Sequence, residues 1–162
     1  MGPSILDPRS GEILEADIMW WHNVLGMLQE WITVQTGAIR PEARGVKISD
    51  ELMGDAMRFV ACHEVGHSLG LRHNMMGSWA FPTDSLRSKT FTDRMNSTSS
   101  SIMDYARFNY VAQPEDNISR SGIFPRIGMY DKWAIEWGYR WMPEYETAEA
   151  EIPHLNLSLI HI

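Results

Sequence analysis

The chain has 162 residues, 44% of them apolar, enough for one domain with its own core. Fourteen basic residues against 21 acidic ones give a net charge of −7, with no run of Lys and Arg able to track a phosphate backbone, so nucleic acid is not an expected partner. No apolar run approaches the roughly 18 residues of a membrane span, and a single cysteine excludes an internal disulfide framework.

After the turn signal DPRSG, residues 14–20 alternate: Leu14, Ala16, Ile18 and Trp20 share one face, and Glu15, Asp17 and Met19 the other. That period of two predicts a strand. From about Trp21 to Gln35, Val24, Leu25, Leu28, Trp31 and Ile32 recur at three and four and predict an amphipathic helix that Gly37 ends. GAIRPEARGVK reads as a loop, after which Ser49 or Asp50 caps a second helix. Residues 74–100, rich in Ser, Thr, Asn, Gly and Asp and ending in NSTSSS, read as a long surface loop. Near the end, Asp131 is expected to cap a short helix lined by Tyr130, Trp133, Ala134 and Trp137, which Gly138 stops. There is no internal repeat.

The second helix carries ACHEVGHSLGLRHNM, which holds three of the six histidines. His63 and His67, four residues apart, project from nearly one helix face about 6 Å apart along the axis, close enough to share a metal. Glu64, roughly 100° around from His63, can reach a water on that metal without being a ligand. On a continuous helix His73 would point about 240° away from His67. Gly70 removes the obstacle, because glycine takes a left-handed backbone at little cost and can turn the chain back so that His73 becomes the third ligand. By average residue usage H-E-x-x-H occurs in roughly one chain in 200 of this length, and H-E-x-x-H-x-x-G-x-x-H in a few per million. Three neutral imidazoles suit Zn²⁺ with a fourth position left for water. The chemistry expected is peptide-bond hydrolysis through a Glu64-activated, zinc-bound water.

HEVGHSLGLRH resembles the zinc signature of the metzincin clan of metallopeptidases, and SIMDY at 101–105 resembles that clan's Met-turn, with Met103 30 residues past His73. DPRSGEIL, HEVGHSLGLRHNMMGSWAFPTDSLRS, SIMDYARFNYVAQP and IGMYDKWAIEWGYR are similar to the Met-zincin domain of large, secreted, zinc-dependent bacterial metalloproteases. The resemblance implies His63, His67 and His73 as Zn²⁺ ligands, Glu64 as the catalytic residue, Gly70 at the turn and Met103 beneath the metal. Tyr105 falls where astacins and serralysins place a tyrosine near zinc. EILEADIMW would be the edge strand to which a peptide substrate adds. Asn74 differs from the residue after the third histidine in the matrix, astacin and adamalysin branches, so their specificity rules do not transfer, and the helix after the edge strand is additional to the minimal clan fold.

The fold expected is therefore α+β: a helix-rich fragment of a metzincin-like catalytic domain with an edge strand and a long active-site helix, its upstream strands missing. Residues 1–156 form this domain, cut at both ends. Met1 reads as an internal methionine, and further domains of a longer parent chain are expected. LSLIHI at 157–162, with His161, resembles translated sequencing adapter and reads as a non-native tail, the alternative being an ordinary amphipathic strand. The resemblance implies a protein or peptide substrate and an extracellular, periplasmic or cell-surface location. A different class of function is a catalytically silent zinc-binding module of a larger secreted protein, for which Glu64 has no use. A third possibility is a piece that does not fold alone. Cys62 reads as a buried helix residue, His22 and His154 have no partner at ligand spacing, and Asp84, Asp93, Glu115 and Asp116 form no recognisable calcium loop.

Overall fold

Among the described residues seven strands and α-helices follow one another: β1 (Ser4–Leu6), β2 (Ile13–Ala16), α1 (Val24–Thr36), α2 (Asp50–Ser68), α3 (Lys89–Met95), α4 (Met129–Tyr139) and α5 (Ala148–Ser158). They come from a computed structural model that describes residues 2–158. The architecture is α+β: five helices and a small two-stranded sheet, with short 3₁₀ turns in the connections.

The expected strand is half of a hairpin. β2 pairs antiparallel with β1, Ser4 opposite Ala16 and Ile5 opposite Glu15, with an irregularity between Ile5 and Leu6. Regular pairing stops at Ala16, so the alternation through Trp20 overstates the strand; backbone contacts of Gly2 and Pro3 with Asp17 extend the pairing by one residue. β1 was missed because three exposed residues carry no period.

α1 starts at Val24, three residues later than the periodicity suggested, and buries Leu28, Ile32 and Thr36 against α2. α2 is capped by the Ser49 hydroxyl, which accepts from the Leu52 amide at 3.2 Å. Its buried residues Leu52, Asp55, Ala56, Phe59, His63 and Gly66 form one stripe at helical spacing. His63 thus lies on the core-facing side. Asp55, buried on that stripe, accepts from Arg58 at 2.5 Å and from the Arg120 guanidinium, which satisfies the carboxylate and ties the 120–122 turn to α2. The central aromatic is Phe108, packed edge-on against Phe124 at 4.8 Å, Phe59 at 5.8 Å and Trp31 at 6.5 Å.

Residues 74–100 are not simply a surface loop. They contain α3, and the polar run from Ser97 to Ser101 is buried. Hydroxyl bonds to the backbone make this possible: Ser97 Oγ donates to the Ser99 carbonyl at 2.8 Å and accepts the Arg126 amide at 2.9 Å, and Ser100 Oγ donates to the Gly77 carbonyl at 2.9 Å. Composition alone hides this, since the same residues in water would be a loop.

α4 runs through Gly138 to Tyr139, and Asp131, in its first turn, caps it as expected by accepting the Gly128 amide at 2.7 Å. Tyr139 donates to the Leu69 carbonyl at 2.9 Å, satisfying an orphan group at the end of α2. α5, with Pro153 inside it, was not expected. Its last turn includes Leu157 and Ser158, the first residues of the tail LSLIHI, and Trp133 Nε1 donates to Ser158 Oγ at 3.0 Å. The remaining tail residues, including His161, lie outside the described residues. No described helix is long and apolar enough to cross a membrane.

Candidate metal centre

At the C-terminus of α2 the chain reverses at Gly70, whose φ of +87° is the left-handed conformation that the spacing required. The Gly70 amide bonds the His67 carbonyl at 2.9 Å and the Leu71 amide the Gly66 carbonyl at 3.0 Å, the paired closure of a Schellman turn. Ile13 of the hairpin packs over Gly70. The reversal brings His73 back over the helix: its ring centroid lies 4.7 Å from that of His67 and 5.2 Å from that of His63, and His63 and His67 are 4.9 Å apart.

One ring nitrogen from each of the three histidines lies within 4.8 Å of the others. His63 Nδ1 donates to the Ile102 carbonyl and His67 Nδ1 to the Leu71 carbonyl, both at 2.8 Å. These bonds fix the tautomer and leave each Nε2 lone pair for the common centre. The Nε2 atoms of His67 and His73 are 3.1 Å apart, close to the about 3.3 Å separation of two ligands on a tetrahedral zinc with Zn–N near 2.05 Å. Two imidazole nitrogens at that distance can share one cation, so the donor set fits Zn²⁺. Burial is the largest influence on His63 and holds its pKa below the ordinary histidine value, favouring the neutral ring that a metal needs.

The Met-turn residues hold this cluster from below. Met103 is buried under α2, and a Cβ on Gly66 would collide with its sulfur, so the glycine of HEVGH makes room for the methionine. The Met103 carbonyl accepts the Asn74 amide at 3.0 Å, anchoring the residue after His73. Tyr105 is 46% exposed, with its hydroxyl 2.8 Å from His73 Nε2. Glu64, half-buried, lies on the wall common to two adjoining cavities of about 310 and 370 Å³. Cys62 is half-buried on the opposite side, lining a cavity with Arg58 and Lys132. Neither His22 nor His154 joins the cluster.

Sequence reasoning missed Asp131 as a support of this site. Its buried carboxylate accepts from Ser101 Oγ at 2.6 Å, the Ile102 amide at 2.6 Å and the Gly128 amide at 2.7 Å. The peptide unit after Ile102 carries the carbonyl that orients His63, so Asp131 positions one of the three clustered histidines through one residue. Asp131→Asn replaces one acceptor oxygen with a donor, and a urea midpoint shift corresponding to about 2–3 kcal/mol is the expected outcome.

A family model for Met-zincin matches residues 45–160. The chain belongs to the Met-zincin family. The match spans α2, the Met-turn and α4; β1, β2 and α1 precede it. No curated protein and no solved structure matches the chain. Membership of the Met-zincins and the three-histidine cluster together point to zinc binding and a metallopeptidase-like domain.

Proposed function

We propose that this Met-zincin domain is a zinc endopeptidase that cuts protein or peptide substrates, working outside the cytoplasm or at the cell surface as part of a longer bacterial chain. The location rests on the resemblance to secreted metalloproteases. The observation that carries the activity is Glu64: a carboxylate beside His63, on the wall of an open cleft, has no place in a closed structural zinc site.

His63, His67 and His73 would hold Zn²⁺, which supplies a Lewis acid that polarises a carbonyl and acidifies water. Glu64 takes the proton from the attacking water as its oxygen bonds the scissile carbonyl carbon. Glu64 then returns that proton to the amide nitrogen as the C–N bond breaks, releasing an amine and a carboxylic acid that gives its proton to solvent. Val24, Met27 and Val60 give the cleft an apolar lining beside the carboxylate. A mixed-protein digest that a chelator stops and added zinc restores tests this reading.

Tyr105 has two roles open to it. Its hydroxyl, 2.8 Å from His73 Nε2, would in the first donate to the oxyanion of the tetrahedral intermediate. Alternatively its ring, stacked on His63 with centroids 5.5 Å apart, only shapes the wall. The first role predicts that Tyr105→Phe lowers kcat roughly a hundredfold with zinc content and KM little changed. An unchanged kcat in the zinc-loaded variant leaves the ring as packing.

A further inference from the structure

Resting on the peptidase reading above, we propose that Arg107 makes the 310 Å³ cavity beside Glu64 a subsite for an acidic side chain, so that cleavage occurs next to Asp or Glu. The cavity is otherwise apolar along both helices: Val24, Met27 and Trp31 come from α1, Phe59 and Val60 from α2. His63, Glu64 and Tyr105 close it toward the metal centre, so a side chain seated here belongs to a residue adjoining the reacting carbonyl.

Arg107 brings a positive charge into this setting. Its guanidinium lies 4.2 Å over the Trp31 ring and 5.1 Å from the Tyr105 ring. The stacking fixes the plane of the fork and leaves its edge N–H groups to find acceptors. Among the described residues the Arg107 side chain makes no ion pair and no hydrogen bond; Arg72, Arg94 and Arg126 likewise meet no carboxylate, but of these four only Arg107 lines the cavity that His63 and Glu64 share. A substrate carboxylate supplies the missing bidentate acceptor in a largely apolar pocket, where such a pair is strong.

The backbone points the same way. Arg107 has φ of +62°, a conformation glycine adopts freely and a long side chain does not. Phe108 and Asn109 impose it: the Phe108 amide bonds Gln35 Oε1 at 2.9 Å and the Asn109 amide the Ile123 carbonyl at 2.8 Å. This turn aims the guanidinium at Trp31. The two carboxylates, from substrate and from Glu64, need not compete. Glu64, Val24, Met27 and Val60 also line the adjoining cavity, whereas Trp31 and Arg107 line only the first, which sets the cation away from the shared wall. With a net charge of −7 the chain as a whole repels acidic peptides, so the preference must arise locally.

Two peptide pools test this, identical except that Glu and Asp in one are Gln and Asn in the other. The zinc-loaded protein is expected to cut roughly 10- to 100-fold more efficiently where an acidic residue adjoins the cut, the factor of one charge-assisted hydrogen-bonded pair. In Arg107→Gln that ratio should fall to about one, and in Arg107→Glu the preference should turn toward Lys and Arg. If Arg107 only staples Trp31 to Tyr105, its loss slows both pools by the same factor and the ratio persists. Capture of the uncleaved pools by the Glu64→Gln protein gives a second readout. Preferential capture of the acidic pool, lost with Arg107→Gln, keeps the subsite even if the wild type cuts nothing, a result that would overturn only the peptidase reading. Equal cleavage and capture of the two pools, or a preference that survives Arg107→Gln, overturns the subsite.

Discussion

Glu64→Gln is expected to retain about one zinc per chain and to lose peptidase activity by roughly two to four orders of magnitude, the usual worth of a positioned general base. The amide keeps the shape of the carboxylate and its place on the cleft wall, but it cannot accept the proton of the attacking water. Because Glu64 neighbours His63 without being among the three clustered donors, the metal should stay. Elemental analysis and initial rates on the same sample separate the roles. A variant that cuts at near wild-type rate removes Glu64 from the chemistry, and one that has lost its zinc makes it a ligand.

His67→Ala should lose the zinc outright. His67 lies between the other two ligands in sequence, its Nε2 is 3.1 Å from that of His73, and its Nδ1 is locked to the Leu71 carbonyl in the turn that delivers His73. Deleting the ring removes one ligand and loosens another. Wild-type protein should melt at a higher temperature in added zinc, since a ligand that binds only the folded state stabilises it by mass action, and the variant should not respond. Zinc retained at full occupancy in His67→Ala would contradict the three-histidine site.

The metal centre was legible in the sequence because its logic is local. His63 and His67 share a helix face by spacing, Gly70 is the residue that a left-handed turn requires, and His73 lies within reach of that turn; φ of +87° at Gly70 and the clustering of the three rings follow. The capping of α2 by Ser49 was legible for the same reason. What escaped is held by contacts between residues far apart in the chain. Asp131 resembles a helix cap in sequence, yet its carboxylate also reaches Ser101 and Ile102, about 30 positions earlier. The serines before the Met-turn look like a solvated loop until their hydroxyls are seen bonding Gly77, Ser99 and Arg126. Arg107 has no motif at all: its meeting with Trp31 depends on how α1 lies against α2 and on a backbone conformation that no composition announces.

Membership of the Met-zincin family and the histidine cluster point to zinc binding, and the proposed reading adds that the centre turns over substrate. The most direct measurement is a mass-spectrometric digest of unfolded protein substrates by the zinc-loaded chain, run before chelation, after it, and after zinc is returned. Internal peptide bonds should be cut in the first and third samples and not in the second. A sample carrying one zinc per chain that leaves every substrate intact would instead make the domain a zinc-binding module without catalysis.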